Sequence, residues 1–227
     1  MSFAPEGYPF AAAGAALAAA GWVGVAMRPG GVVVIVLAAA LTVLALFVLW
    51  FFRDPVPDLP ADGALVVAPG QGRVIAIERV DEESYLRGAA HKISIFLSVF
   101  DVHVQRAPVT GTVEQKRYKA GKYAVAWLDK ASDDNEQASL GILTEHGPVL
   151  VRQIAGLVAR RIITDPSDGE PVERGARIGL IRFGSRVDLF LPAAWEVLCQ
   201  VGDRVRVGAT VLARQTSDVP AERESST

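Results

Sequence analysis

The chain has 227 residues and a formal net charge of −2 at pH 7, so no overall positive field favours a nucleic acid as its partner. Apolar residues make up 51% of the chain, and their excess near the amino terminus points to one domain with a membrane segment. Cys199 is the one cysteine, which excludes an internal disulfide and is typical of a reducing compartment. Three scattered histidines and this cysteine make no metal-ligand pattern, so we predict no metal site.

Residues 1–53 contain two apolar stretches, 8–27 and 31–52, each without a charged residue. Each stretch reaches the roughly 20 residues that a helix needs to span a bilayer. The Arg28-Pro29-Gly30 sequence between them predicts a tight turn, and the aromatic residues before Arg53 are typical of a membrane-interface anchor. We therefore predict a membrane-anchoring helical hairpin over residues 1–53.

Other interpretations of this segment differ in how it meets the membrane. A cleaved signal peptide fits poorly, because no basic region precedes the first stretch and a longer apolar stretch follows it. A single anchored span and helices lying in the interface stay open. Arg28 and Arg53 nearly balance the positive-inside rule, so it sets no orientation. We expect a cell (inner) membrane protein whose large carboxy-terminal part is in the cytoplasm, a choice that rests partly on the lone thiol.

The remainder of the chain has a β pattern. Residues 54–63 carry three prolines and predict a stiff linker. From residue 64 onwards, short apolar runs bounded by glycine or proline predict β-strands, and only residues 82–90 and 192–198 hint at short helices. The predicted fold class is mainly β, with a minor α+β character, over a domain of residues 64–227.

Weak internal repeats run through this domain. The segments beginning at Ala68, Ala107 and Ile154 resemble one another, and the segment from Val172 resembles that from Val205. Such glycine-punctuated strand pairs are typical of β-sandwich or barrel hybrids, including biotinyl- and lipoyl-carrier hairpins. Those carriers present a modifiable lysine at a hairpin tip. No lysine occupies a matching tip in this sequence, so a carrier function is disfavoured.

Gly184 and Ser185 stand between two apolar runs near the carboxy-terminal end of the domain. Glycine reaches backbone angles closed to other residues, so the serine after it can present its hydroxyl to its own peptide bond or to a ligand. This arrangement suits backbone self-cleavage. It suits an ordinary turn as well, and spacing alone favours the turn because Gly-Ser is a common turn pair.

Five stretches between about residue 52 and about residue 213 carry a more specific signal. They are Ala68-Pro69-x-x-Gly72-Arg73-Val74, Ile95-Phe96-Leu97-Ser98-Val99-Phe100-Asp101-Val102-His103-Val104-x-Arg106-Ala107-Pro108, Asp134-Asn135-Glu136, Gln153-Ile154-Ala155-Gly156-Leu157-Val158-Ala159-Arg160-Arg161-Ile162 and Gly179-x-Ile181-x-Phe183-Gly184-Ser185-Arg186-Val187-Asp188. Each alone is modest, but five in this order with sensible gaps are specific. Together they resemble the phosphatidylserine decarboxylases, in particular their short, membrane-associated bacterial branch.

The resemblance implies a proenzyme that cleaves itself between Gly184 and Ser185. The Ser185 hydroxyl attacks the preceding carbonyl to give an ester, and β-elimination with loss of ammonia leaves a pyruvoyl cofactor on residue 185. The products are a long β chain, 1–184, and a short α chain, 185–227, which associate. The pyruvoyl group forms a Schiff base with the serine amine of a membrane phospholipid and supplies the electron sink that side chains lack. The implied reaction is decarboxylation of phosphatidylserine to phosphatidylethanolamine and CO2 in phospholipid biosynthesis.

The matching stretches also supply candidate helpers. His103 is a candidate acid or base, and Asp101, two residues earlier on the same face of a strand end, is its candidate orienting partner. A structural histidine and a turn aspartate are the alternatives. An arginine can hold a lipid phosphate or carboxylate in forked geometry. The candidate substrate-binding residues are Asn135, Glu136, His146, Arg160 and Arg186.

Two positions depart from the family pattern. Many members carry an Asp-His-Ser relay whose acid lies in a Pro-Ala-Asp-Gly motif, where this chain has Gln71, which cannot accept a proton at neutral pH. Many also have a second histidine three residues after the first, where this chain has Arg106. The chain processes itself either without the full relay or slowly.

Two rival functions stay open from the sequence. One is a non-enzymatic, membrane-anchored β scaffold that keeps Gly184-Ser185 as a plain turn. The other is a decarboxylase of a different serine-headed lipid. Homo-oligomerisation also stays open.

Overall fold

The computed structural model describes residues 2–28, 31–121, 135–156, 162–182 and 185–216. Its amino-terminal part forms two antiparallel helices, α1 (Tyr8–Met27) and α2 (Val32–Phe51), after a 3-10 turn at Pro5–Gly7. At about 1.5 Å per residue each helix is about 30 Å long, which matches the hydrocarbon core of a bilayer. Both helices are long and apolar enough to cross a membrane, and almost none of either is buried.

Small residues hold these two helices together. A side-chain carbon added to Gly21 would lie 3.1 Å from the Cα atom of Ala38, so the two backbones approach closely at this level. The Trp22 indole N–H also donates to the Thr42 hydroxyl over 3.0 Å. The predicted pair of apolar helices is therefore confirmed. The amino-terminal end of α1 and the carboxy-terminal end of α2 both lie at the β-domain.

In the remaining described residues the regular secondary structure is β-strand, which confirms the predicted fold class. Eight strands form an antiparallel sheet that curls into a half-barrel, and smaller antiparallel sheets accompany it. The strands are β1 (Ser2–Phe3), β2 (Arg53–Asp54), β3 (Leu65–Val67), β4 (Gly72–Glu82), β5 (Gly88–Leu97), β6 (Val104–Arg106), β7 (Gly111–Lys119), β8 (Gln137–Thr144), β9 (Gly147–Ala155), β10 (Ile162–Thr164), β11 (Pro171–Val172), β12 (Arg177–Ile181), β13 (Ser185–Pro192), β14 (Glu196–Val197), β15 (Arg204–Val205) and β16 (Val211–Arg214).

The strand order makes β13 an interior strand of the large sheet. That sheet runs β11-β7-β8-β9-β13-β5-β4-β15. Two three-stranded sheets run β10-β12-β6 and β14-β16-β3, and β1 pairs with β2. The strand before β13 in the chain, β12, belongs to a different sheet.

Neither of the two short helices suggested by the sequence is present. Residues 82–90 contain the end of β4, a turn and the start of β5, and residues 192–198 contain the end of β13, a turn and β14. The first turn closes because the Glu82 carboxylate accepts the backbone N–H groups of Tyr85 and Leu86, over 2.8 and 3.0 Å. These side-chain hydrogen bonds compete with the ones that a helix would make.

Two separate apolar clusters form the interior. The intersheet core draws residues from the large sheet and from both three-stranded sheets, among them Ile93, Leu140, Val151 and Leu189. The junction cluster joins the helix ends to β6 and β12. Its buried members are Ala4, Phe51, Phe52, Val102, Val104, Leu180 and Val207. The helices are therefore packed against the β-domain and not merely tethered to it.

Residues 55–64 have no regular secondary structure but are held against the β-domain. The Arg174 guanidinium donates to the backbone carbonyls of Pro60, Asp62 and Leu65, over 2.6, 2.5 and 2.8 Å. The proline-rich segment 54–63 thus follows the surface of the domain. Its role as a domain boundary stays a prediction.

Candidate active site

The chain changes sheets immediately before Ser185. β12 ends at Ile181 in a three-stranded sheet, and β13 begins at Ser185 in the large one. Ser185 pairs with Leu97 at the end of β5 and with Ala155 at the end of β9. It therefore opens a strand that is held along both edges. Gly184, the other half of the predicted cleavage site, lies outside the described residues.

The Ser185 side chain is fully buried, and its hydroxyl has no hydrogen-bond partner among the described residues. Leaving a buried hydroxyl without a partner costs about 1–3 kcal/mol. Buried polar groups in native proteins are rarely left in this state without a specific reason. Ser185 thus combines a strand-end position with a hydroxyl that no described group engages.

His103 lies beside the end of β12, because its carbonyl accepts the Ile181 backbone N–H over 3.4 Å. Its buried ring packs on the Phe51 ring of α2, with centroids 4.1 Å apart. The ring Nδ1 lies 2.9 Å from the backbone carbonyl oxygen of Asp101. A carbonyl can only accept, so Nδ1 carries the proton and Nε2 carries the lone pair. Nε2 is buried and has no partner in the described part of the chain.

Burial lowers the pKa of His103 to about 4. Desolvation is the main cause. The charge of Arg53 acts in the same direction, whereas the carbonyl and the charge of Asp101 oppose it. The imidazole is therefore neutral at pH 7, and Nε2 can accept a proton. This state favours a general base over a general acid.

Asp101 contacts the histidine ring through its backbone and not through its carboxylate. The carboxylate accepts the backbone N–H and the hydroxyl of Ser98, over 2.9 and 2.6 Å, and so closes the turn 98–101. The sequence predicted that Asp101 and His103 share one face of a strand end. They lie instead in the connection between β5 and β6, because the Asp101 side chain caps this turn.

Asn135 and Glu136 lie next to the strand position of Ser185. The Asn135 amide donates to the Ala155 carbonyl over 2.7 Å, and the Ala155 N–H donates to the Glu136 carbonyl over 2.9 Å. One carboxylate oxygen of Glu136 accepts the Tyr118 hydroxyl over 3.1 Å. The other is buried and has no partner within the described ranges. Since Ala155 pairs with Ser185, both candidates belong to this end of the sheet.

His146 lies far from this group. It is exposed in the turn between β8 and β9, whereas Ala155, the partner of Ser185, ends β9. About eight residues of strand separate the two positions, which is roughly 26 Å. The structure therefore does not support His146 as a substrate-binding residue at this site.

Arg186 is buried and already occupied. Its guanidinium donates to the Asp188 carboxylate over 2.6 and 3.0 Å and to the Ser94 hydroxyl over 2.9 Å. Residues i and i+2 of a strand share a face, which explains why Arg186 and Asp188 pair. This pairing argues against a substrate-binding role for Arg186. The other candidate arginine, Arg160, lies outside the described residues.

The two departures from the family pattern are also near this end of the sheet. Gln71 lies between β3 and β4, and a side-chain carbon added to its neighbour Gly70 would lie 3.5 Å from Val187 of β13. Arg106 forms an ion pair with Asp54, just after α2, with N and O 2.5 Å apart. Arg106 therefore ties β6 to the end of the helical hairpin and does not stand in for a second histidine.

Two features of the site were not predicted from the sequence. Phe51 supports the His103 ring, but no local pattern connects residues so far apart in the chain. Gln105 and Gln153 are buried and hydrogen-bonded to each other. The available signal was a polar residue within a mostly apolar strand, since Gln153 lies two residues before Ala155 and on the same face of β9.

A family model for phosphatidylserine decarboxylase matches residues 44–213. The chain is 51% identical to the phosphatidylserine decarboxylase proenzyme of Symbiobacterium thermophilum over 179 residues, which cover 78% of this chain and 83% of that protein. It is 50% identical to the proenzyme of the same name from Salinibacter ruber over 171 residues, 74% of this chain and 75% of the relative. With that of Trichlorobacter lovleyi it shares 47% over 213 residues, 92% of this chain and 95% of the relative.

Proposed function

The chain belongs to the phosphatidylserine decarboxylase family, and from that membership we propose that it converts phosphatidylserine to phosphatidylethanolamine and CO2 after cutting its own backbone between Gly184 and Ser185. The observation that carries the proposal is the buried, unengaged Ser185 hydroxyl at the start of β13. A plain structural scaffold gains nothing from such a group, because a buried polar atom without a partner destabilises the fold.

The Ser185 hydroxyl attacks the Gly184 carbonyl carbon, and His103 Nε2 is the candidate base for the hydroxyl proton. The C–N bond between residues 184 and 185 breaks as the ester forms, and the proton goes to the departing nitrogen. Elimination of the α-hydrogen and the ester oxygen then frees Gly184 as a carboxylate. Addition of water and loss of ammonia leave a pyruvoyl group at residue 185. The neutral state of His103 supports this role.

The surroundings of residue 185 suit a pyruvoyl group. The side-chain position is fully buried, and the hydroxyl that the elimination removes has no hydrogen-bond partner among the described residues. The pyruvoyl carbonyl supplies the sink for the electron pair that remains when CO2 departs. The chain contributes exclusion of water, a base at His103 Nε2 and a buried carboxylate at Glu136, both of which can move protons at this end of the sheet.

The strand pairing supports an assembly that survives cleavage. The short chain, 185–227, contributes β13 to β16. Of these, β13 pairs with β5 and β9 of the long chain, β15 pairs with β4 and β16 pairs with β3. A cut before Ser185 falls at a strand end, so it interrupts none of these ladders.

The helical hairpin supports a location at the cell (inner) membrane. The end of α2 contributes Phe51 to the support of His103, so the apolar helix ends at the candidate site. Substrate and product are both bilayer lipids, and this arrangement gives them a short path to residue 185. The placement of the domain on the cytoplasmic side is part of the same proposal.

The decisive variant is Ser185→Ala, which lacks the oxygen that attacks Gly184 and that must afterwards leave in the β-elimination. We expect the wild-type chain to yield a long fragment ending at residue 184 and a short, pyruvoyl-blocked fragment starting at residue 185. The variant should remain one chain of 24.2 kDa and release no CO2 from phosphatidylserine vesicles. Mass spectrometry and CO2 release from the purified full-length protein measure both properties.

Ser139→Ala is the matched control, because Ser139 lies in β8 of the same sheet, away from β13. It should be cleaved and active. An intact wild-type chain, or decarboxylation by Ser185→Ala, would contradict the proposal. A cleaved wild type that ignores phosphatidylserine but acts on another serine-headed lipid would support the same chemistry on a different substrate.

A further inference from the structure

One arginine at the junction between the helices and the β-domain has no hydrogen-bond or ion-pair partner among the described residues. Arg53 donates to the backbone carbonyls of Trp50 and Phe100, over 2.7 and 2.8 Å. Other arginines there are paired with carboxylates: Arg106 with Asp54, and Arg177 with Glu6 and Asp165. The Arg182 side chain forms no hydrogen bond or ion pair with any described residue, and its Nε is buried.

The Arg182 guanidinium is nevertheless held in place. Its central carbon lies 5.3 Å from the centroid of the Phe10 ring in the first turn of α1. Phe10 in turn stacks on Phe52, with centroids 5.6 Å apart and an interplanar angle of 15°. A cation over an aromatic face is stabilised through that face, so the N–H donors at the edge stay available. The charge is therefore fixed at the level where both helices enter the β-domain.

This position is next to the reaction centre. Arg182 follows Ile181, whose N–H donates to the His103 carbonyl, and it precedes Ser185 by three residues. His103 packs on Phe51, and Phe51 contacts Phe52 with ring centroids 5.0 Å apart. One group of helix-end aromatic rings thus supports both the candidate base and the unpaired guanidinium.

We propose that Arg182 binds the phosphodiester of the lipid headgroup and thereby directs the serine amine towards residue 185. The inference rests on the proposed function and adds a headgroup site to it. A planar guanidinium with free N–H groups matches the oxygen pair of a phosphate in forked geometry. At the membrane end of the domain, the phosphodiester is the anion that every phospholipid substrate brings.

The phosphate suits Arg182 better than the substrate carboxylate does. Loss of CO2 removes the negative charge of the carboxylate, so a guanidinium bound to it would stabilise the ground state more than the transition state. The phosphodiester keeps its charge throughout the reaction. An arginine bound there strengthens substrate and transition state equally, which lowers KM and leaves kcat unchanged.

Glu6 is a competing acid, because it interacts electrostatically with Arg182 as well as with Arg177. Its Oε1, however, is 2.6 Å from the Arg177 guanidinium, which also holds Asp165. Glu6 therefore forms its ion pair with Arg177 and not with Arg182. An incoming anion would be the first charged group bonded directly to Arg182 among the described residues.

The kinetic test uses the full-length, matured protein in phosphatidylcholine vesicles with an increasing fraction of phosphatidylserine. Arg182→Gln should raise KM about ten-fold, the effect of one charge-assisted hydrogen bond, with kcat within about two-fold of wild type. Arg182→Lys keeps the charge and should lie in between. The matched control is Arg79→Gln. Arg79 is exposed on β4, opposite His91 of β5 in the strand register, and His91 lies towards the end of β5 that is remote from Leu97. An unchanged KM in Arg182→Gln overturns the inference.

Product binding distinguishes the phosphate from the carboxylate, since phosphatidylethanolamine retains only the phosphate. Arg182→Gln should weaken inhibition by this lipid by the same factor as KM. Undiminished inhibition would assign Arg182 to the carboxylate and contradict the proposal. Mass spectrometry establishes that each variant is matured. If Arg182→Gln is not cleaved, Arg182→Lys carries the comparison.

A binding measurement separates this inference from the decarboxylation itself. Phosphorus NMR line broadening of glycerophosphoethanolamine by the detergent-solubilised mature protein requires no turnover. Broadening in wild type and its loss in Arg182→Gln is the expected result, whereas equal broadening in both overturns the site. Inorganic phosphate is the second probe, and equally strong binding of it would show a general anion site and contradict a headgroup site.

Discussion

The intersheet core and the junction cluster are both apolar, but they differ in the polar groups beside them. Next to the large sheet, the buried charges of Arg186 and Asp188 are bonded to each other and to Ser94. Beside the junction cluster, His103 Nε2 and Arg182 Nε are buried without a partner among the described residues. In the first arrangement each buried charge already has its counter-charge.

The second arrangement leaves buried polar atoms without hydrogen-bond partners among the described residues, at the place where the apolar helices meet the β-domain. An unpaired buried donor or acceptor lowers stability by about 1–3 kcal/mol, and the fold can carry a few of them only if packing elsewhere compensates. The junction cluster provides that packing through rings of α1 and α2. The contrast therefore separates residues that hold β13 in place from residues that are available for chemistry.

The largest effect should come from breaking the paired charges. Arg186→Met leaves the Asp188 carboxylate buried without its cation, which should lower the free energy of unfolding by about 3–5 kcal/mol. The double variant Arg186→Met with Asp188→Leu should recover most of this loss, because it removes both charges. Thermal unfolding in detergent measures both. A stable Arg186→Met variant with a raised KM would instead return Arg186 to substrate binding.

Local strand patterns could be predicted from the sequence, whereas contacts between residues that are distant in the chain could not. Strands such as Val149 to Ile154 are recognisable from local apolar residues bounded by glycine or proline, so the mainly β class could be predicted. The pairing of Arg186 with Asp188 and Ser94 could not be predicted. A guanidinium's partner depends on which strands become neighbours, as Arg186 and Ser94 do across β13 and β5.

The site shows this limit again. Ser185 and His103 could be singled out by their motifs, and the structure brings both to one end of the large sheet. His146 could not be rejected from sequence, because its distance from Ser185 depends on the antiparallel register of β9 and β13. The support of His103 by Phe51 depends on a helix end packing against a distant strand connection.

A smaller, pH-dependent effect should arise at the junction cluster. His103 has a pKa of about 4 in the folded chain and near 6.5 when unfolded. Between these values the unfolded chain binds more protons, so stability falls as the pH falls. From pH 7 to pH 5 the loss should be about 2 kcal/mol. Glu78 and Glu82, whose pKa values are lowered, lose their contribution mainly below the usual carboxylate range, about pH 4.5.

Thermal unfolding of the detergent-solubilised protein at pH 7, 6 and 5 measures this slope. His103→Asn removes the titrating ring and should flatten the curve over this window. An unchanged slope in His103→Asn would mean that another group causes the pH dependence. The same variant should slow self-cleavage at pH 7, which a purely structural histidine would not do if the fold is retained.

The smallest effect concerns the turn 98–101, which lies beside the end of α2. Phe100 is 67% exposed, and its carbonyl accepts hydrogen bonds from Arg53 and Trp50 at the end of α2. Because α2 is itself long and apolar enough to anchor the chain, the Phe100 ring should add only about 1 kcal/mol of membrane attachment.

An environment-sensitive fluorophore tests this placement. It is attached to Phe100→Cys or to Leu143→Cys, both in a Cys199→Ala background. Leu143 is 43% exposed in β8 and lies next to the β8–β9 turn, at the opposite end of the sheet. We expect blue-shifted emission and quenching by spin-labelled lipids at position 100 only. Equal responses at both positions would mean that turn 98–101 does not face the bilayer. A lipid would then have to reach His103 and Arg182 from another side of the junction cluster.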